Sequence, residues 1–252
     1  MTYARTLVAA AAFAASSGAF AQATVKPDGQ WRAAFTLGVS VATGNTESML
    51  VNAQADAVRA TDIDKLALSG QQTYGQSTGV RTSDLASLGA RYNRDVEDRW
   101  FWFANAEATR NALADLAVRA SVSTGLGRHL VKTESDTFDV FGGLGWSYDR
   151  YVDPVFLAGA LRDRYQRWEP VFGEESTHRF SPTTTLRQRL ALYPNATDTG
   201  ALRATFEAGI AVAMTNTLSL NATLNVRYNS DPGAGLKTTD SLFVTGIAYK
   251  LD

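Results

Sequence analysis

From Leu218 to Asn229 the chain alternates without a break. Leu218, Leu220, Ala222, Leu224, Val226 and Tyr228 take the even positions, and Ser219, Asn221, Thr223, Asn225, Arg227 and Asn229 the odd ones. Successive strand side chains point to opposite faces, so this segment has one face suited to hydrocarbon and one suited to water. The same rule runs through 31-42, where Trp31, Phe35, Leu37 and Val39 oppose Arg32, Thr36 and Ser40. It recurs in 49-57, with Met49, Val51 and Ala53 against Asn52, Gln54 and Asp56, and in 201-214, with Leu202, Phe206 and Ile210 against Arg203, Thr205 and Glu207. Alternating segments of about ten residues separated by turn chemistry are how transmembrane strands read. The expectation is an all-β fold, a closed antiparallel transmembrane β-barrel.

Less regular segments at 65-76, 83-94, 99-110, 116-128, 136-149, 155-168, 175-193 and 239-251 bring the count to twelve. The weakest is 155-168, whose Ala158-Gly159-Ala160 is silent and whose end is crowded by Arg162, Asp163, Arg164 and Arg167. Without it ten strands remain. Twelve puts the tight connections around Thr61-Asp64, Asp95-Asp98 and Thr215-Thr217 on the periplasmic side and Ser230-Thr238 outside, the asymmetry bacterial barrels keep.

Soluble antiparallel sheets also alternate, so the distinction rests on other features. Trp31, Tyr92, Trp100, Trp146, Tyr148, Tyr228 and Tyr249 sit near segment ends, where an interfacial girdle would place them. Small residues are frequent on the prospective outer face, and closure removes the edges of so long a sheet. Gly246, Tyr249 and Leu251 stand at a spacing like the C-terminal signal read by the barrel-assembly machinery, although Asp252 rather than an aromatic ends the chain.

The beginning of the chain fits this destination. Arg5, an apolar run from Leu7 to Ala15 and the small residues leading to Ala19-Phe20-Ala21 read as a signal peptide over 1-21, cleaved before Gln22. The expected organisation is then a short periplasmic segment at 22-30 and the barrel at 31-252. No later stretch is apolar for long enough to be a membrane helix. Cysteine is absent, which removes disulfides and thiolate chemistry. The formal charge of −1 becomes −2 once Arg5 leaves, so there is no basic field for nucleic acid.

Gly38-Val39-Ser40 through Thr43-Gly44-Asn45-Thr46, Ala55-Asp56-Ala57, and Tyr228-Asn229-Ser230-Asp231-Pro232 through Lys237-Thr238-Thr239-Asp240 resemble the YdiY-like salt-induced outer membrane proteins, a family built on a domain of unknown function. The resemblance covers roughly 31-252. It implies a barrel in the outer membrane and carries no catalytic residues to transfer.

Chemistry is sparse. His129 lies at a strand end by a periplasmic turn and His178 begins a strand beside Arg179, neither near a serine nucleophile, so both read as exposed or interfacial side chains. No two histidines stand at ligand spacing, and Asp62 and Asp64 around Ile63 read as turn chemistry, so neither a metal nor a cofactor is expected. By parity the lumen is lined by Asp56, Arg91, Glu107, Arg119, Arg187, Arg189, Arg203, Glu207 and Arg227. Two roles remain open for that lining. In a narrow channel the arginines would favour small anionic solutes; in a closed structural barrel they would pair with Asp56, Glu107 and Glu207. A twelve-stranded barrel lies between the filled small barrels and the open porins, so geometry alone does not choose. The expected partners are outer-membrane lipid, the assembly machinery and, in the channel reading, the solute.

Overall fold

A computed structural model describes residues 25–42, 48–198, 200–232 and 237–251. The expected signal peptide over 1-21 and the Gly44-Asn45-Thr46 turn lie outside the described residues. Twelve antiparallel strands close on themselves: β1 (Trp31–Ala42), β2 (Ser48–Ala60), β3 (Asp64–Ser77), β4 (Val80–Glu97), β5 (Trp100–Asn111), β6 (Leu116–Lys132), β7 (Asp136–Leu157), β8 (Ala160–Arg179), β9 (Thr184–Pro194), β10 (Leu202–Ala213), β11 (Leu218–Asn229) and β12 (Thr239–Leu251). Each strand pairs with its neighbours in sequence, and β12 returns to β1 through Ala33–Leu37 and Ile247–Leu251. The start of β1 and the end of β12 therefore lie at one end of the barrel, the terminal end.

The alternation translates directly into the two faces. Along β11 the odd residues Ser219, Asn221, Thr223 and Asn225 are buried inside while Leu220 is exposed outside. Phe35, Leu37 and Val39 of β1, Leu88 of β4, Leu126 of β6, Phe243 and Ile247 of β12 likewise stand exposed around the wall. An apolar surface that encircles a barrel is stable only against hydrocarbon, and closure satisfies the backbone groups that lipid cannot. No helix among the described residues is long and apolar enough to cross a membrane.

Twelve is the expected number, but two boundaries differ from the sequence reading. The expected strand at 155-168 straddles a hairpin: β7 continues to Leu157, Ala158 and Gly159 turn in the left-handed region at φ 48° and 74°, and β8 begins at Ala160. The expected strand at 175-193 contains the turn at 180-183, where the Ser181 hydroxyl accepts from the amides of Thr183 and Thr184. His178 thus closes β8 instead of opening a strand. The cause is local. Ala-Gly has no bulk to mark a face, and Ser181-Pro182 is turn chemistry embedded in polar residues.

The turns at the terminal end are tight. Thr61 shows why: its hydroxyl donates to the Asp64 carboxylate at 2.7 Å and accepts the Asp64 amide at 3.1 Å. Ahead of β1, Asp28 takes both guanidinium nitrogens of Arg32 at 2.8 and 2.6 Å, and the Gly29 amide donates to Ala60 O at 2.7 Å, so the N-terminal segment is fastened to the β1–β2 rim.

Candidate functional site: a charged, partly occluded lumen

The interior is unequal around its circumference. Where β1–β3 and β10–β12 face inward, amides and hydroxyls such as the Asn52 amide donating to the Thr73 hydroxyl at 2.7 Å alternate with scattered charges, among them Asp56, Lys65, Arg203 and Glu207. The β4–β9 side carries most of the charge and the aromatic bulk. Phe101, Phe103 and Phe141 point inward with Val171 and Ala191, and glycines opposite make room for them. A methyl group at Gly127 would fall inside the Phe101 ring, and one at Gly173 would meet the Phe141 ring.

Toward the far end the charges form a closed network. Asp149, fully buried, receives Arg119 Nε and Nη2 at 2.7 and 2.6 Å and Arg167 Nη1 at 2.9 Å. Glu169 receives Arg167 Nε at 2.9 Å, Arg203 Nε at 2.9 Å and the Ser147 hydroxyl at 2.7 Å. Removing one partner from such a buried set strands the others, which costs about 3–5 kcal/mol. Above it Ala114, Leu116, Tyr151, Leu157 and Tyr165 make an apolar cap inside the barrel.

Three of its members, Tyr151, Leu157 and Tyr165, come from the β7–β8 hairpin. Between Arg150 and Val155 the register slips, so Tyr151 to Pro154 face Asp163 alone. A bulge of this kind bends a strand and sharpens its twist. The hairpin tip is then held from across the mouth: the Ala158 amide donates to Asp231 on the β11–β12 connection at 3.0 Å.

Below the network lies a cavity of about 190 Å³. Asp56, Arg91, Glu107, Arg187, Arg189 and Arg203, all named from parity, line it together with Lys65, Glu169, Glu175 and Tyr193, which were not. Arg91 pairs with Glu175 and, with Arg189, lies over the Phe141 ring, at 5.5 and 5.1 Å. The side chains of Lys65 and Arg187 make no hydrogen bond or ion pair with a described side chain, although Glu175 lies near enough to act on both, and Arg189 has the ring contact but no carboxylate bonded to it. Arg119 belongs to the network above, and Arg227 lines a small space near Tyr228 and Asp240. Glu207 is buried opposite Arg189 in the β9–β10 register, with neither oxygen hydrogen-bonded.

The pairing differs from the sequence expectation. The carboxylates that hold Arg91, Arg119 and Arg203 are Glu175, Asp149 and Glu169, where Asp56, Glu107 and Glu207 were expected. They escaped because β7 and β8 carry glycines and charges that blur alternation. A signal was present: outward Trp146, Tyr148 and Trp168 imply inward Ser147, Asp149, Arg167 and Glu169. His129 is also better held than expected, its Nδ1 2.7 Å from Asp139, its Nε2 3.2 Å from Asp95 and its ring tilted on Phe101. His178 pairs with Asp136 at 2.9 Å.

Fold and lumen together define the class: a single-chain twelve-stranded β-barrel of the outer-membrane type, partly filled by its own charged side chains. Residues 35–251 match the family described as Protein of unknown function, DUF481, and the chain belongs to that family. No curated relative matches it. Among solved structures the NanC porin is similar at TM-score 0.53 and 12% identity, over 87% of this chain and 100% of that one. An outer membrane channel from Pseudomonas putida F1 is similar at TM-score 0.51 and 13% identity, over 93% of this chain and 99% of that one. Both likenesses are of fold.

Proposed function

We propose that this chain resides in the outer membrane, with the far end extracellular, and that its cavity admits small anionic solutes through a narrow conduit. The supporting observation is the trio Lys65, Arg187 and Arg189. Three cations face one cavity with no carboxylate hydrogen-bonded to them, in a wall whose other arginines are paired. Cations that are not held in hydrogen-bonded pairs leave their donors open to a passing anion, and like charge lining a lumen raises the local concentration of the opposite ion and sets selectivity. The orientation follows from loop length: the connections at 195-201 and 230-238 lie at the far end, and barrels keep their short turns periplasmic. In the same reading, residues 1-21 are the cleaved leader and the barrel-assembly machinery inserts the chain.

A second reading is favoured by the network of Arg119, Asp149, Arg167, Glu169 and Arg203, which fills the far half as a structural core would. In that case the barrel is closed, with a structural role in the envelope under salt stress. Planar-bilayer recording of refolded protein separates the two. The conduit reading expects small anion-selective steps, with anion preference lost in Lys65→Gln/Arg187→Gln. Absence of any current above background, in the wild type and in a variant with the far end opened, gives the closed reading.

A further inference from the structure

The outer face of the β7–β8 pair changes character in a fixed order toward the far end. Gly142 stands beside Phe172, Leu144 beside Pro170, Trp146 beside Trp168, Tyr148 beside Gln166, and Arg150 beside Arg164. Apolar, aromatic and then cationic side chains follow the depth profile of a membrane from hydrocarbon through interface to headgroup. Trp146 and Tyr148 stack at 6.4 Å and Trp168 is exposed, so the aromatic tier is open to lipid.

The cationic tier is unusual in its pairing. Arg150 and Arg164 are direct cross-strand partners, both exposed on the outer face. Like charges so placed repel. Arg150 has no ion pair or hydrogen bond to a described side chain, and Arg164 has only a 3.7 Å approach to the equally exposed Asp163. Elsewhere on the same rim the outward Arg81 and Arg110 both turn to Asp84, at 2.8 and 3.8 Å. Two guanidinium forks side by side match the oxygens of a phosphate, which would relieve their repulsion.

We propose that Arg150 and Arg164 clamp the phosphate of an outer-leaflet lipid headgroup, whose acyl chains lie against Trp146, Tyr148 and Trp168. The inference rests on the membrane orientation given above and not on conduction, so a silent bilayer trace leaves it standing.

Native mass spectrometry of the delipidated full barrel in neutral detergent, incubated with bisphosphorylated lipid A or with its dephosphorylated form, tests it. The wild type is expected to retain the phosphorylated lipid on the order of tenfold better. Arg150→Gln/Arg164→Gln should fall to the dephosphorylated level, whereas Arg128→Gln, outward at the opposite rim over Trp100, should behave as wild type. Heat-modifiable mobility checks closure of the double variant; Arg150→Gln alone carries the test if closure fails. Equal retention of the two lipids, an unaffected variant, or complete displacement by millimolar inorganic phosphate, which marks a free-anion site, would overturn the proposal.

Discussion

Asp231 accepts a hydrogen bond from the backbone amide of Ala158 at 3.0 Å, joining the tip of the β7–β8 hairpin to a connection several strands away around the rim. The bulge after Arg150 lies in the same hairpin, between its regular ladder and its tip. Charge-assisted bonds to backbone amides contribute about 1.5–3 kcal/mol, enough to shift an open-to-covered ratio by tenfold or more. Asp231→Ala is therefore expected to raise single-channel conductance relative to wild type. An unchanged unitary current would mean that the hairpin does not limit passage.

Asp149 bears two arginines and is wholly buried. Asp149→Asn keeps its shape but removes the charge that both guanidiniums share. A loss of about 3–5 kcal/mol follows from leaving buried Arg119 without its carboxylate, Arg167 keeping Glu169, read as an earlier urea midpoint at unchanged slope. Asp163→Asn, exposed beside Arg164, should leave the midpoint within about 0.5 kcal/mol of wild type.

The glycine at 127 exists for the ring at 101. Gly127→Ala puts a methyl into Phe101, and overpacking of this kind costs about 1–3 kcal/mol. In Gly127→Ala/Phe101→Leu the clash is gone, so the double variant should be more stable than the sum of the two single changes predicts. Strict additivity in that cycle would show that the two positions do not touch.

The N-terminal fastening should yield to acid. Arg32 bonded to Asp28, with the Gln30 amide donating to the same carboxylate, holds that carboxyl well below the usual carboxylate range. A depressed folded-state pKa contributes stability that is present above the unfolded value, about 3.9, and is lost as pH falls below it. Hydrogen exchange at the Gly29 amide, bonded to Ala60 O, is expected to stay protected at neutral pH and to lose protection, after correction for intrinsic rate, below pH about 4. Asp28→Asn should abolish that dependence and leave the amide poorly protected at neutral pH.

How far the sequence could be read depended on whether each strand had one clear face. β1 and β11 were legible to the residue because outward Leu, Val and Phe alternate with inward Ser, Thr and Asn. β7 and β8 were not, since Gly142, Gly143 and Gly145 mark no face and the bulge after Arg150 puts successive charges out of phase. The turn at Ala158-Gly159 depends on left-handed backbone, a conformation alanine seldom signals. Six of the lumen residues found by parity line one cavity, yet Asp149, Glu169 and Glu175, which bind the arginines, sat in the blurred strands. Pairing across a barrel is a property of register, and register is set by long-range closure that local pattern does not carry.

The join between β1 and β12 spans only Ala33–Leu37 and Ile247–Leu251, while β1 meets β2 along its whole length. The wall is thus a rolled sheet fastened along one short line. Its two borders come from opposite ends of the chain, and bringing them together carries the largest loop-closure cost of any strand pair here. Lateral tension in the surrounding bilayer would part the cylinder first along that line, leaving the other eleven ladders intact.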